Sequence, residues 1–200
     1  MKLRHVVFMG VMLAMAAFAQ NPISADSPFQ VKYAANLNVG DSVFNISNSG
    51  ANGGNLCANV YTFSPDEQLI SCCTCNVTPN ALVSLSARAD LISNTLTPAV
   101  PNSIVVKIVG SASATCNASV VANQATGILA WGTTLHAKVV PNDGPPLTVY
   151  DLTETPFVPA TLSTSELARI TSLCGFIQSN GSGFGICRSC RLGGQGASKQ

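Results

Sequence analysis

Cysteine is the residue type that gives this chain most scope for chemistry. The sequence contains eight of them: Cys57, Cys72, Cys73, Cys75, Cys116, Cys174, Cys187 and Cys190. An even number of cysteines is typical of a disulfide framework when a chain is exported, and the N-terminal segment described below predicts export. We therefore predict that all eight form disulfides.

Two pairs of these cysteines also have the spacing of a metal or redox site. Cys72 and Cys75 form one CxxC pair, and Cys187 and Cys190 form another. Four such thiolates suit a structural zinc ion, but the pairs lie much further apart in sequence than in compact zinc modules. A redox CxxC needs an acidified thiol, usually at a helix N-terminus, and neither pair precedes a predicted helix. Zinc binding or thiol-redox chemistry is the alternative to a purely structural framework.

Residues for other catalytic chemistry are sparse. His136, the one histidine beyond the N-terminal segment, falls on the polar side of a predicted strand, which favours an exposed structural role. No Gly-x-Ser-x-Gly motif accompanies it, and Asp143 and Asp151 are carboxylates such as any chain of this size contains. The run Gly181-x-Gly183-x-Gly185 lacks the spacing of a dinucleotide loop and predicts a flexible turn. The sequence predicts no catalytic residue, no cofactor and no enzymatic activity.

The N-terminal segment predicts export. Lys2 and Arg4 precede an uncharged run, residues 6–18, that ends in the small-residue motif Ala17-Phe18-Ala19. This pattern is typical of a signal peptide over residues 1–19, with the mature chain starting at Gln20. The run is shorter than the roughly 20 apolar residues of a membrane span, and no later stretch is long enough to be one. We expect a secreted, periplasmic or cell-surface protein without a transmembrane segment after signal removal.

The small net charge of the chain limits the classes of partner that it can bind. The whole chain has a formal net charge of +1, and loss of Lys2 and Arg4 with the signal peptide leaves eight basic against nine acidic side chains. A chain with so few charges has no basic surface to attract nucleic acid or an anionic membrane. The partner that fits this composition is another protein or a surface polymer.

The elements that must position the cysteines are short strands separated by turns. Apolar residues alternate with period two, between turn-forming residues, at 29–35, 43–47, 56–63, 68–75, 104–109 and 128–140. Residues 48–55 hold no core side chain and predict a surface loop. In the longest strand, Thr134, His136 and Lys138 are expected to be exposed, and the buried face is expected to comprise Leu129, Trp131, Thr133, Leu135, Ala137 and Val139.

The strands at 56–63 and 68–75 flank a turn and predict a hairpin. In the expected register Asn59 lies opposite Cys72, so Cys57 and Cys72 share one face while Cys73 and Cys75 share the other. A slip of one residue would place Cys57 opposite Cys73. We predict that Cys57 is bonded to Cys72 or Cys73.

One segment predicts a helix, at residues 164–178. Its apolar positions recur at helical spacing, Ser163 and Glu166 form a capping box, and Asn180-Gly181 provides a stop. The glycine-rich segment after the helix can fold back, so we predict that Cys174 is bonded to Cys187 or Cys190. Residues 191–200 have nothing to bury and predict a flexible tail.

Several motifs stand out along the chain after the signal peptide: Leu56-Cys57, Val60-Tyr61-x-Phe63, Glu67-Gln68-x-x-x-Cys72-Cys73-x-Cys75, Asp90-Leu91-x-x-Asn94, Trp131-Gly132-Thr133 and Gly181-Ser182-Gly183-x-Gly185-x-Cys187. Together they resemble a group of uncharacterised, cysteine-rich secreted proteins of soil bacteria. The Cys-Cys-x-Cys element is a fairly specific one. The resemblance implies export and one shared design, and it brings no activity with it.

These features predict a mainly β protein. We expect a disulfide-stapled β-sandwich, for which an immunoglobulin-like architecture is compatible, with one C-terminal α-helix packed across it. Residues 20–190 are expected to form a single domain. The predicted function is that of an exported, non-catalytic surface, adhesion or assembly subunit of the cell envelope or extracellular space.

Overall fold

The computed structural model describes residues 27–191. The predicted signal peptide, its cleavage before Gln20, and residues 192–200 of the predicted tail lie outside the described residues. Within them the chain forms nine strands and one α-helix: β1 (Phe29–Ala34), β2 (Val43–Asn48), β3 (Leu56–Phe63), β4 (Leu69–Val77), β5 (Leu82–Ser86), β6 (Ile104–Ser111), β7 (Ile128–Val140), β8 (Leu147–Pro156), β9 (Val158–Pro159) and α1 (Thr164–Ser179). A π-helical turn (Ala87–Leu91) follows β5, and a 3-10 turn (Arg188–Cys190) follows α1. In residues 27–191, no helix combines the length and the apolar character that crossing a membrane requires.

The strands form two antiparallel sheets. The first has the strand order β4-β3-β6-β1-β9 and the second has the order β5-β2-β7-β8. Phe157, between β8 and β9, carries the chain from the second sheet to the first. This arrangement confirms the predicted β-sandwich.

Alternating side chains of the two sheets meet in an apolar core. Phe44 and Ile46 of β2 and Ile104 and Val106 of β6 are fully buried there. Phe157 joins them, and its ring lies 5.7 Å from that of Phe44 in an edge-to-face arrangement. β2 and β6 therefore each give one face to the core, as the period-two alternation predicts.

Helix α1 covers the outer face of the first sheet. Ile170, Cys174 and Ile177 are buried against a cluster that includes Tyr61. The predicted start is confirmed, since the Ser163 hydroxyl accepts a hydrogen bond from the Glu166 N–H at 3.1 Å. The predicted stop is confirmed by the left-handed φ of 76° at Gly181. The molecule thus has three layers, with the first sheet in the middle.

The two faces of β7 are the reverse of the prediction. Ile128, Ala130, Gly132 and Thr134 are buried between the sheets, whereas Leu129, Trp131, Thr133 and Leu135 are half-exposed on the outer face. Size alone favours burying the larger side chains, but β2 leaves no room for them. A Cβ atom at Gly132 would lie 2.7 Å from a ring carbon of Phe44. Small residues therefore face the core here, and Trp131 is displaced outward.

The short strands β5 and β9 and the long strand β8 have no counterpart among the predicted strands. β8 reads Leu-Thr-Val-Tyr-Asp-Leu-Thr-Glu-Thr-Pro and is mostly exposed along its length. Its sequence therefore lacks the apolar alternation that marks a half-buried strand. It forms because it pairs with β7 from Trp131 opposite Pro156 to Val140 opposite Leu147.

Candidate functional site

Each of the eight cysteines lies in the described part of the chain and forms a disulfide. The pairs Cys57–Cys116, Cys72–Cys174, Cys73–Cys187 and Cys75–Cys190 have Cα–Cα distances of 5.3, 5.8, 4.9 and 5.5 Å. The bonded residues lie between 59 and 115 positions apart in sequence. Disulfides persist in oxidising compartments, so this set fits an extracytoplasmic protein.

The β3–β4 hairpin is confirmed, but its register is two residues away from the prediction. Asn59 lies opposite Thr74, and the register shifts again between Thr62 and Phe63 at an irregularity in the ladder. A shift of two residues preserves the faces of a strand. Cys72 therefore packs under α1, on the same side of the sheet as Tyr61, while Cys73 and Cys75 face the core between the sheets.

The predicted bond from Cys57 to Cys72 or Cys73 is wrong. Cys72 lies opposite Tyr61, four positions along β3 from Cys57. That displacement corresponds to about 13 Å along the strand, which is beyond the reach of a disulfide. Cys57 instead bonds Cys116 in the loop before β7, close to where the Tyr61 hydroxyl donates to the Ala118 carbonyl at 2.6 Å. Burial raises the pKa of Tyr61, so the phenol stays protonated and able to donate.

The predicted bond from Cys174 to Cys187 or Cys190 is also wrong. Helix α1 packs on the outer face of β4, where Cys72 is the cysteine within reach of Cys174. The chain after α1 then passes around β4 to its opposite face, and Cys187 meets Cys73 there. Both of the predicted pairings assume bonds between neighbours in sequence, whereas all four disulfides join distant segments.

The alternative of a zinc or redox site at Cys72, Cys75, Cys187 and Cys190 is not supported by the geometry. Cys72 and Cys75 point to opposite faces of β4, so the four sulfur atoms do not converge. The sulfur atoms of Cys75, Cys187 and Cys190 do lie within 4.8 Å of one another, but each belongs to a disulfide. Neither CxxC pair is bonded to itself, as a redox CxxC would be.

The glycine-rich segment after α1, predicted to be a flexible turn, is hydrogen-bonded along the edge of β4. The N–H of Phe184 donates to the Cys72 carbonyl at 3.0 Å, the Thr74 N–H donates to the Gly185 carbonyl at 3.2 Å, and the Cys187 N–H donates to the Thr74 carbonyl at 3.1 Å. Gly183 has a φ of 65°, and a Cβ atom there would lie 2.9 Å from the Cys72 carbonyl oxygen. Residues 183–187 therefore cover an edge that would otherwise be open.

Asp90 is a buried residue for which the sequence predicted no role. Its carboxylate accepts hydrogen bonds from the Ser86 N–H at 2.9 Å and from the N–H and hydroxyl of Ser189, both at 2.7 Å. The side chain has no exposed surface. It ties the turn after β5 to the segment between Cys187 and Cys190, and its place in the Asp90-Leu91 motif was the one signal that singled it out.

His136 is exposed, as predicted, and its surroundings do not form a catalytic triad. Its Nε2 atom lies 2.8 Å from the Thr153 hydroxyl. Asp151 stands opposite His136 in the β7–β8 register, but its carboxylate lies 3.8 Å from the Lys138 ammonium. These contacts are those of polar neighbours on a solvated strand face.

A cleft of about 620 Å³ lies beside the start of α1, near Phe63 of β3. Lys107 and Arg169 both contact the Glu166 carboxylate within it, at 3.5 and 2.8 Å. The hydrogen bond from Arg169, followed by the charges of Arg169 and Lys107, holds the pKa of Glu166 below its usual range, although burial opposes this. The same hydrogen bond raises the pKa of Arg169. Because these charges satisfy one another, the cluster stabilises the start of the helix.

The β7–β8 hairpin carries several exposed apolar side chains. Val139, Tyr150 and Leu152 share one face of the hairpin and are 67%, 38% and 61% exposed, and we call these three residues the hairpin surface. Leu147, which is 53% exposed, lies on the other face. The charged residues Lys138 and Asp151 pair with each other on the face that holds Leu147. Large exposed apolar patches on folded proteins mark interaction sites.

The outer edge of β8 is also free for backbone pairing. The Phe157 N–H donates to the Ala130 carbonyl at 2.8 Å, so odd-numbered residues of this strand direct their backbone groups toward β7. The N–H groups of Tyr150, Leu152 and Glu154 therefore point away from the sheet. In the described part of the chain β8 ends the strand order of its sheet.

Comparison of this chain with models of protein families, with curated proteins and with solved structures gave no match. The resemblance of its motifs to secreted proteins of soil bacteria stays a prediction. What the protein does has to follow from its own geometry: a disulfide-held sandwich with edge strands β4, β9, β5 and β8, of which β4 is covered by residues 183–187 and β8 is the longest.

Proposed function

We propose that this protein works outside the cytoplasm as a non-catalytic assembly subunit, and that it associates by pairing the β8 edge with a second copy of itself. The single observation that carries the proposal is the open, ten-residue edge of β8 beneath the hairpin surface. The four disulfides support an oxidising location. The resemblance to secreted cysteine-rich proteins agrees with that location.

Edge strands of this length are normally protected. Natural sheets blunt them with lysine, proline, bulges or a covering segment, because an open ladder pairs with other chains. β4 has such a cover in residues 183–187, while β5 and β9 are short, with five and two residues. β8 has neither lysine nor internal proline over nine residues, from Leu147 to Thr155.

The side chains of β8 suit antiparallel pairing with a copy of itself about Leu152. This register places Leu152 opposite its own copy, Tyr150 opposite Glu154, and Asp151 opposite Thr153. No two like charges then face each other, which would oppose the pairing. The outward N–H groups of Tyr150, Leu152 and Glu154 exchange hydrogen bonds with the other copy, so the second sheet continues across a two-fold axis.

The experiment is analytical ultracentrifugation of the oxidised chain over a range of concentrations. The wild type is expected to form a dimer as concentration rises. Leu152→Lys is expected to remain monomeric at the same concentrations, because the substitution sets two ammonium groups opposite each other on the two-fold axis.

Val120→Lys is the matched control, since Val120 is 68% exposed but lies in a loop away from β8. It should associate as the wild type does. A wild type that stays monomeric at every concentration, or a Leu152→Lys variant that dimerises normally, would contradict the proposal.

A further inference from the structure

Lys32 of β1 is a buried lysine without a carboxylate partner. Its side chain points between the sheets and is 7% exposed. The ammonium donates to the Thr155 hydroxyl at 2.6 Å. The other lysines of residues 27–191 each pair with a carboxylate, Lys107 with Glu166 at 3.5 Å and Lys138 with Asp151 at 3.8 Å. Lys32 alone among these three has no anion within ion-pair distance.

An unpaired buried ammonium is unfavourable, and it has spare donors. Burial lowers the pKa of Lys32, and the charge of Glu154 opposes that effect only from a distance. An ammonium group has three N–H donors, and within the described chain one of them has a hydrogen-bond acceptor. Buried charges in proteins are normally paired with an opposite charge. The position therefore calls for an anion that the described residues do not supply.

The sequence makes specific room for this side chain. Gly132 stands opposite Thr155 in the β7–β8 register, and a Cβ atom at Gly132 would lie 3.3 Å from the Lys32 Cε. The aliphatic part of the Lys32 side chain therefore passes β7 at Gly132, and its ammonium reaches Thr155 of β8. A larger residue at 132 would crowd both Lys32 and Phe44.

The residue borders an open cleft of about 550 Å³ that runs from the inner side of the β7–β8 hairpin past the edge of β1 to the outer side of the first sheet, where Val31 and Val105 lie. That volume is typical of a small-molecule site. The cleft has a polar wall and an apolar wall. The polar wall contains Thr134, His136, Thr153 and Thr155, and the apolar wall contains Val31, Val105, Pro156 and Val158.

We propose that this cleft binds a small amphiphilic carboxylate, whose head group pairs with Lys32 and whose apolar body lies on the valines. The carboxylate takes up the free N–H donors of Lys32. The Thr155 hydroxyl, which accepts from Lys32, keeps its own hydrogen to donate to the same head group. The apolar wall then covers the rest of the ligand.

The experiment is calorimetric titration of the oxidised chain with octanoate, and with 1-octanol as a neutral ligand of equal length. Octanoate is expected to bind the wild type and 1-octanol to bind much more weakly. Lys32→Met keeps the length of the side chain and removes its charge, and a buried charge replaced by an apolar group of similar size is tolerated. This variant should lose octanoate affinity by about tenfold or more, because a hydrogen-bonded charge pair is lost.

Lys107→Met is the matched control, since Lys107 lies in the other cleft beside Glu166, and it should bind octanoate as the wild type does. Leu152→Lys should also bind normally, which separates this site from association through β8. Near-ultraviolet circular dichroism checks that each variant folds. Absence of octanoate binding to the wild type, or equal affinity in a folded Lys32→Met variant, would overturn the proposal.

Discussion

At Asp90, one carboxylate joins two parts of the chain that lie far apart in sequence. It receives three hydrogen bonds, one from Ser86 at the end of β5 and two from Ser189 between Cys187 and Cys190. All three partners are donors, so the position requires a group that only accepts. Aspartate meets that requirement, and asparagine, whose amide also donates, does not.

Asp90→Asn is therefore expected to destabilise the protein by about 2 to 3 kcal/mol, because its NH₂ group would face a donor in a buried site. Urea unfolding at neutral pH measures the change. Asp143→Asn removes a carboxylate from an exposed turn and should stay within about 0.5 kcal/mol of the wild type. Equal stability of the two variants would show that the Asp90 contacts contribute little.

Sequence reasoning at this scale identified the right residue types but not their partners. The cysteine count and the export pattern predicted disulfides, yet the partners of Cys57 and Cys174 depend on where distant segments pack. A register irregularity between Thr62 and Phe63 leaves no mark in the alternation of apolar residues. The burial of Lys32 could not be predicted for a similar reason, because it depends on Gly132 in the facing sheet.

Among the elements, α1 was predicted most closely, since helical spacing, cap and stop all agree locally. The strands β1, β2, β3, β4, β6 and β7 were predicted because each has a buried face with period two. β8 was missed because it is an exposed edge, and the faces of β7 were reversed because its core side is built from small residues. Local patterns thus identify strands, while the opposite sheet decides which face is buried.

The first turn of α1 should give the protein a measurable dependence on pH. Hydrogen bonding from Arg169 lowers the pKa of Glu166 in the folded state, so this carboxylate stabilises the fold above its unfolded pKa of about 4.3. The contribution is lost as pH falls through the lower, folded value. Glu166→Gln should be less stable than the wild type at pH 7 by no more than about 1 kcal/mol, because the ion pair is partly exposed.

Thermal unfolding of both proteins between neutral and strongly acidic pH tests this expectation. The difference should shrink as the pH falls below about 4 and vanish when Glu166 is protonated in both states. Asp143→Asn serves again as the control, and its difference from the wild type should not change in the same way. A constant difference between Glu166→Gln and the wild type would mean that packing, and not charge, explains the loss.

Across the whole molecule, the disulfides and the sheet edges form one design. Three of the four bonds hold α1 and the segment after it against β4, at Cys72, Cys73 and Cys75. That segment pairs with β4 through its backbone and closes one edge of the sandwich. β8, at the far edge of the other sheet, has no disulfide and is open. Disulfides thus hold the covered edge at β4 in place, and the edge of β8 stays available for pairing with another chain.

Removal of the Cys73–Cys187 bond should therefore open the covered edge locally before the protein unfolds. In the double variant Cys73→Ala/Cys187→Ala, we expect faster hydrogen exchange at the backbone amides of positions 74, 184 and 187. The hydrogen bonds of these three amides join β4 to the covering segment. Cys57→Ala/Cys116→Ala is the control, because that bond also closes a long loop but lies away from this edge. Loss of either bond costs about 2 to 5 kcal/mol by constraining the unfolded chain less, so both variants lose global stability. If exchange at these amides is equally fast in both variants, the Cys73–Cys187 bond acts on the unfolded state alone. If exchange is faster only in the Cys73→Ala/Cys187→Ala variant, the bond holds residues 183–187 against β4.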